Sequence, residues 1–476
     1  MTKWEMRPGD LKRYPHFDAL ISIPEAMALA TDPERVAKHT FYPFMLFSNR
    51  WTKFAPKGAA GKMKERPIRY AARSDAYILS YYRHQISQLY EVALAKAEIS
   101  ECVLAYRRLR TETGAGKCNI HFANDAFNTI SLAGDCAVVA LDISSFFEHL
   151  DHDRLRAQWS NIIKQKKLPP DHERVFRAVT RYSVVEKLSV YERLDLFGEK
   201  RKGSKGEAIN GYLVPFKSMP KQLCTGKQFR EKIAGGDGRK SLIQVNFKPF
   251  GIPQGSPISD LLANMYLFEF DIVMNDITRK LGGAYMRYSD DILLIIPGQA
   301  AAGISLMNEA RKQIEKFGKK LRIKEEKCSV FEFKKTGMRQ TCELVHGSQG
   351  RNGIEYLGFR FDGKNIFLRD STLANLNRKI ARVAKAHVFS LIKRYPGKDR
   401  AFLKSKIKVE AVVQRFGRVV DFGEHSDDYR TWTFWTYARR ASVIFGSRGA
   451  PILRQLRHLR EAVAFRLNAE LEKFAR

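Results

Sequence analysis

The chain has 476 residues, 44% hydrophobic and 28% charged, a balance that excludes a disordered segment and allows a core shared by two to four subdomains. Its 83 Lys and Arg against 51 Asp and Glu leave a net charge of +32, which points to a polyanionic partner, nucleic acid foremost. Six scattered cysteines with no Cys-x-x-Cys pair argue against structural zinc, and the lack of a signal-peptide core or membrane-length apolar run makes a cytoplasmic protein without a membrane partner the expectation.

Residues 20–50 read as largely helical, with Pro24 at a helix start and Pro33 and Pro43 dividing the stretch, its last piece carrying Phe44 and Phe47. A Gly/Lys-rich loop from Pro56 to Lys64 follows. Ile78, Tyr81, Ile86 and Leu89 then form the apolar stripe of a helix from Asp75 to about Ala97. Residues 102–131 read as mixed, with Asn119–Phe122 separate from a short helix near Asp125–Ile130. Ala137–Ile143 is apolar enough for a strand buried on both faces, and Asp142 stands at its end. From 185 to 247, glycines such as Gly203, Gly206 and Gly235 alternate with lysines such as Lys205, Lys217 and Lys232. This predicts an irregular basic insertion, either a solvated linker or a contact for nucleic-acid backbone.

Gly251–Ser259 opens a helix running to about Asp276, with Ser256 as its cap and Pro257 in its first turn. Met286–Ile296 reads as two short strands joined at Ser289-Asp290, since Ser and Asp tolerate tight turns. Leu306, Ala310, Ile314, Phe317 and Leu321 mark an amphipathic helix. Strand-like segments occupy 321–362 around Tyr356-Leu-Gly-Phe359. Beyond 371 the chain reads as helical and basic, with one helix lined by Leu373, Leu376, Ile380 and Val383 and a second from Ile452 to Leu471.

Asp142 at a strand end and Asp290 and Asp291 at a hairpin tip make a set of three carboxylates, provided that the strands lie side by side. Hard divalent ions such as Mg2+ favour such oxygen ligands, and two of them can stabilise the attacking and leaving oxygens of a displacement at phosphorus. Strong positive charge beside such a set favours a polymerase or nuclease acting on nucleic acid. Glu148, His149, Asp151, His152 and Asp153 have the composition of a metal cluster, but their place after the strand reads as a polar turn and helix start. Asp427-Asp428 reads as an acid pair at a helix N-terminus. Trp432, Trp435 and Tyr437 read as helical packing rather than base-stacking platforms.

Leu141–Phe147, Ile252–Pro257, Tyr288-Ser-Asp-Asp291, Lys327 and Tyr356–Phe359 occur in the order and approximate spacing of the reverse transcriptase palm motifs. Lys64–Arg69 and Ser74-Asp75 resemble that family's fingers. The resemblance covers roughly 60–365 and implies an α+β right-hand polymerase, with fingers, a ferredoxin-like palm built on an antiparallel sheet, and a helical thumb. On that pattern 1–135 would be N-terminal helices and fingers, 136–184 and 248–365 the palm, 185–247 the insertion, and 366–476 the basic thumb. Two Mg2+ ions, with Mn2+ as a substitute, would be held by Asp142, Asp290, Asp291 and the carbonyl of Ile143. Lys64 and Arg66 would hold a dNTP triphosphate, although Lys64 equally suits a solvated charge run. Phe147 would exclude a ribose 2′-OH or is simply a core residue. Gln254 and Gly255 would contact the nucleotide, Lys327 would protonate the pyrophosphate, and Tyr288, Tyr356, Leu357 and Gly358 would support primer and template.

Val103–Arg107, Asn119–Ala123 and Asp142–His152 look most like bacterial defence-associated reverse transcriptases. That likeness implies antiphage defence, a non-coding RNA as template or scaffold, a DNA product and a homo-oligomer. Template-independent or protein-primed synthesis on the same fold, a non-polymerising RNA scaffold or maturase, and a metal-dependent nuclease stay open at this stage.

Overall fold

A computed structural model describes residues 2–52, 63–202, 208–337, 339–348, 350–416 and 433–474. The 56–62 part of the Gly/Lys loop, Gly203, Lys205, Gly206, Asp427-Asp428 and Trp432 lie outside the described residues.

Two short helices open the chain, α1 (Ile23–Ala30) and α2 (Pro33–Lys38). Ser22 and Glu25 form a capping box on the first, while Asp32 caps the second and Pro33 sits in its first turn. The piece carrying Phe44 and Phe47 is not the expected helix. It is β1 (Phe44–Thr52), antiparallel to β2 (Met63–Tyr70). Pro43 blocks helix continuation, and pairing with a distant partner then decides the state of an aromatic-rich segment. Next come α3 (Arg73–Lys96), as its stripe predicts, and α4 (Asn119–Ala133), one continuous helix where two pieces were expected.

β3 (Cys136–Ile143) is buried along nearly all its length. It is followed by α5 (His152–Ile162), α6 (Pro170–Thr180), β4 (Ser183–Glu186) and α7 (Lys187–Arg193). The stretch expected to be irregular carries the hairpin β5 (Phe197–Lys202) and β6 (Ala208–Tyr212), the turn α8 (Gly226–Gln228) and β7 (Gln244–Val245). Val190, Tyr191, Met219, Leu223, Cys224 and Ile233 from this stretch pack with Phe17, Met45 and Val185 in a core of their own. Its sparse apolar residues show no period because their partners come from elsewhere in the chain. β2, β1, β4 and β7 form one four-stranded sheet in that order.

The helix after Gly251–Ser259 begins at Ser259 as α9 (Ser259–Tyr266) and continues after a break as α10 (Phe268–Lys280). Ser256 does not cap it, and the Ser259 hydroxyl instead donates to the Pro253 carbonyl at 2.8 Å. β8 (Ala284–Tyr288) and β9 (Asp291–Pro297) follow, joined by the expected turn, then α11 (Ala300–Glu315), β10 (Ile323–Thr336) and β11 (Arg339–His346). These strands and β3 form the central five-stranded sheet, ordered β11-β10-β3-β9-β8 and antiparallel throughout. One large core packs helices against one face of that sheet, and a second runs from its other face into the C-terminal helices.

A small sheet of β12 (Ile354–Tyr356), β13 (Phe359–Phe361) and β14 (Ile366–Leu368) leads to α12 (Asp370–Arg394), α13 (Arg400–Ser405), α14 (Val409–Val413), α15 (Phe434–Ile444), α16 (Ala450–Arg454) and α17 (Leu459–Phe474). The expected single helix from Ile452 to Leu471 is thus two. Tyr437 stacks on Phe359, with ring centroids 6.0 Å apart, so it packs the core as expected. All six cysteines are free thiols, and among the described residues no helix is long and apolar enough to cross a membrane.

Candidate active site

The central sheet brings the three carboxylates to one end. Asp142 is the cross-strand partner of Asp291 on β3 and β9, and the Ile143 amide donates to the Asp290 carbonyl at 3.0 Å. The turn between β8 and β9 is tight enough to put Ser289 at φ 61°, a left-handed conformation that Ser rarely adopts. Burial, followed by the neighbouring Asp142 carboxylate, raises the Asp290 pKa. Burial and then Asp290 and Asp142 push Asp291 up to about 7.

The site is therefore short of positive charge, and its hard oxygen donors suit a divalent cation. Part of the missing charge comes from Lys327. A bulge between Ile323 and Cys328 takes it off the β10 ladder, and its ammonium bonds the Asp142 carboxylate. Among the described residues no three His, Cys, Asp or Glu side chains close around a common point. The expected ligands Asp142, Ile143, Asp290 and Asp291 share one strand end without forming a finished cage.

Beneath the turn lies a network that sequence reasoning missed. Arg287 and Asp271 are both 0% exposed and meet through two hydrogen bonds of 2.6 Å. Arg287 also donates to Asn264 Oδ1 and to the Ser289 carbonyl, each at 3.1 Å, and the Tyr285 hydroxyl donates to Asp271 at 2.6 Å. Burial alone would lower the Arg287 pKa, but Asp271 outweighs it and the net shift is upward. From the solvent side, the Tyr106 hydroxyl donates to Ser289 Oγ at 3.2 Å. One sequence signal was available: an arginine at a core-facing position of an otherwise alternating strand demands a buried partner.

Lys64 and Arg66 sit two apart on β2, both exposed, with Arg66 5.9 Å from the Trp51 ring centroid. Arg69, also missed, ties that strand to the segments after β3 and before α9. Its guanidinium bonds Glu148 at 2.8 Å, and its amide donates to the Gln254 carbonyl at 2.8 Å. Gly255 has φ +106°, and a Cβ there would lie 2.9 Å from the Arg69 carbonyl. The close approach that Gly255 permits is thus to β2. Phe147 is half-buried against the core and edge-on to Phe146.

The residues expected near a primer divide in two. Tyr288 is half-buried, 5.9 Å from Phe122. Leu357 (φ 47°) and Gly358 (φ 95°) form the turn between β12 and β13, where Asn119 Nδ2 donates to the Leu357 carbonyl and to the Tyr437 hydroxyl. Tyr356 is buried, and its hydroxyl has no hydrogen-bond partner among the described residues. The composition-based metal cluster is a polar turn and helix start, as read. Asp151 caps α5 by accepting from the Arg154 amide, Asp153 lies in its first turn, and Glu148 pairs with Arg69.

The antiparallel central sheet, flanking helices and acids at a strand end define a mixed α+β fold of the right-hand polymerase class. Residues 221–361 match the family model described as reverse transcriptase (RNA-dependent DNA polymerase). The match includes Gln254, Gly255, Tyr288, Asp290, Asp291, Lys327 and Tyr356–Gly358, while Lys64, Arg66, Asp142, Ile143 and Phe147 precede it. No curated protein matches the chain. Solved structures similar to it include apo telomerase from Candida tropicalis truncated from its C-terminal domain, at 9% identity and TM-score 0.36, covering 71% of this chain and 58% of that one. Another is apo telomerase from the same organism, at 11% identity and TM-score 0.35, covering 90% and 70%. A third is Candida albicans telomerase in complex with a fragment of telomeric RNA, at 11% identity and TM-score 0.34, covering 93% and 65%. The chain thus spans well under two thirds of the first of these.

Proposed function

We propose that the chain is an RNA-directed DNA polymerase that joins dNTPs by metal-assisted nucleotidyl transfer. The observation that carries this reading is the juxtaposition of Asp142 and Asp291 across two paired strands, with Asp290 tied to Ile143 beside them. The family match over 221–361 supports it. Asp142, Asp290, Asp291 and the Ile143 carbonyl would hold two Mg2+ ions, or Mn2+ in their place, which when bound polarise the primer hydroxyl and the triphosphate.

The chain's own residues do the rest. Lys64 and Arg66 bind the triphosphate, Arg66 suiting a bidentate phosphate contact. Gln254 and Gly255 border the incoming nucleotide, and Phe147 excludes a ribose 2′-OH. Tyr288 and the Tyr356-Leu357-Gly358 turn hold the primer end. The primer hydroxyl releases its proton to solvent as its oxygen bonds to the α-phosphorus, the bond from that phosphorus to the bridging oxygen breaks, and Lys327 gives a proton to the departing pyrophosphate and regains one from solvent. Residues 1–135 would then be N-terminal helices and fingers, 136–184 and 248–365 palm, 185–247 an insertion, and 366–476 thumb. The finer reading, supported by the short segments around Val103, Asn119 and Asp142, is antiphage defence in the cytoplasm, with a non-coding RNA as template, DNA as product and a homo-oligomer as the working form.

The test is DNA synthesis by purified protein with its co-purifying RNA, Mg2+ and each dNTP, beside Asp290→Ala and Asp291→Ala. RNase-resistant product from the unaltered protein alone is the expected result. Equal inactivity of all three, with RNA still bound, would replace this reading with that of an RNA scaffold.

A further inference from the structure

We infer that a cleft on the flank of the palm is a second nucleic-acid site, which takes one unpaired nucleotide of an RNA or DNA strand. The inference rests on the chain's handling of polynucleotides but not on its chemistry. The cleft, about 260 Å³, lies between the first turn of α5, the last turn of α6 and the loop Phe247–Pro249. That volume is below the ~300–1,000 Å³ of drug-sized pockets and suits a single base rather than a base pair.

Its rim carries Arg156, Arg177, Arg181 and Lys248 against Asp153. Arg156 is locked, paired with Glu173 and lying 4.3 Å from the Phe176 ring centroid, and Arg177 meets Glu173 at 2.7 Å. Arg181 and Lys248 have no carboxylate partner among the described residues; Lys248 lies 5.9 Å from the Phe250 ring centroid, an exposed contact that leaves its ammonium able to meet a phosphate.

Phe247 decides the class of ligand. Its side chain is 88% exposed, yet the loop that carries it is pinned on both sides. The Asn246 amide and side chain donate to the Tyr182 and Thr180 carbonyls at 2.8 and 2.9 Å, and the His152 amide donates to the Pro249 carbonyl at 3.0 Å. A floppy loop would fold such a ring inward. Here the backbone presents it to solvent beside two cations that lack carboxylate partners among the described residues, so ordering it on a ligand costs little entropy. An aromatic face stacks on any base, and flanking cations take the adjoining phosphates, which gives binding tolerant of sequence. The same loop runs directly into Gly251–Gly255.

The experiment measures fluorescence anisotropy of short labelled single-stranded RNA, single-stranded DNA and blunt duplex on the full chain, unaltered and as Phe247→Ala or Arg181→Gln/Lys248→Gln. Phe247→Ala, an exposed change that leaves the melting temperature in place, should weaken single-strand binding about five- to tenfold with duplex binding unaltered. The double variant should flatten the slope of log affinity against log salt by about 1.4. Loss toward RNA alone or DNA alone would assign the site to that strand. Unchanged single-strand binding by Phe247→Ala, or an equal loss toward duplex, would overturn the inference. dNTP incorporation on a hairpin primer-template should survive Phe247→Ala. If the unaltered protein incorporates nothing while the binding pattern holds, the polymerase reading fails and the cleft stands.

Discussion

Two ion pairs flank the same acidic turn, and they are built for opposite purposes. Arg287–Asp271, below the turn, is wholly buried, bidentate and braced by Asn264 and Tyr285. Lys327–Asp142, above it, is single-pronged, with side chains 32% and 39% exposed. A buried pair of that kind is costly to assemble and contributes more to uniqueness of structure than to stability, which suits a turn whose carboxylates must not drift. A half-exposed amine on one carboxylate exchanges readily for another cation. Rigidity is thus placed under the acids and replaceability over them.

The largest effect should come from breaking the lower pair. Arg287→Met leaves Asp271 charged and buried, and we expect a loss of about 3–5 kcal/mol in chemical denaturation. Arg287→Met with Asp271→Asn should recover most of that stability. If the network positions the turn, the double variant will still show a lower kcat at nearly unchanged KM for dNTP. Restored kcat would reduce the network to a structural role.

Next, Gly255→Ala tests the contact between β2 and the Pro-Gln-Gly turn. Strain at φ +106° and the approach to the Arg69 carbonyl should together cost about 1–3 kcal/mol, with KM for dNTP rising more than kcat falls. A normal KM would separate the turn from nucleotide binding.

A smaller effect concerns pH. Burial and the neighbouring acids raise the Asp291 pKa to about 7, so the native state binds a proton that the unfolded chain has released above its ordinary value of 3.8. Stability from this group is complete below about 3.8 and is lost as pH rises through about 7. Asp291→Asn should therefore raise the melting temperature of the metal-free protein by a few degrees at pH 8 and leave it unchanged near pH 4. Added Mg2+ should narrow the difference at pH 8. A melting temperature independent of both pH and this substitution would mean that neither burial nor the neighbouring acids raise the Asp291 pKa.

The smallest effect on folding belongs to the upper pair. Lys327→Ala should change stability by less than about 1 kcal/mol, as expected for a half-exposed pair. It should nevertheless reduce incorporation, most strongly where proton transfer to the leaving group limits the rate. Unaltered kinetics would leave Lys327 as a placeholder for the cation.

What the amino-acid sequence determined by itself was local and periodic. The β8–β9 hairpin with its acids at the tip, the buried strand ending at Asp142, and the helix at Asp75–Ala97 were legible because their patterns repeat within a few residues, whereas the helix marked by Leu306, Ala310 and Ile314 ends at Glu315, short of the expected Phe317 and Leu321. Ordered motifs resembling reverse transcriptases made the fold class and the three acids nameable before any contact was known.

Tertiary structure decided what depends on partners far away in the chain. Phe44–Thr52 became a strand because β2 and β4 pair with it. The Gly/Lys-rich stretch acquired a core because Phe17 and Met45 complete it. Asp271 and Arg287, each an ordinary surface charge by composition, became the foundation of the acidic turn only when α10 packed against β8. Burial turns a charge into a requirement for one particular partner, and burial is a property of the fold, not of the residue.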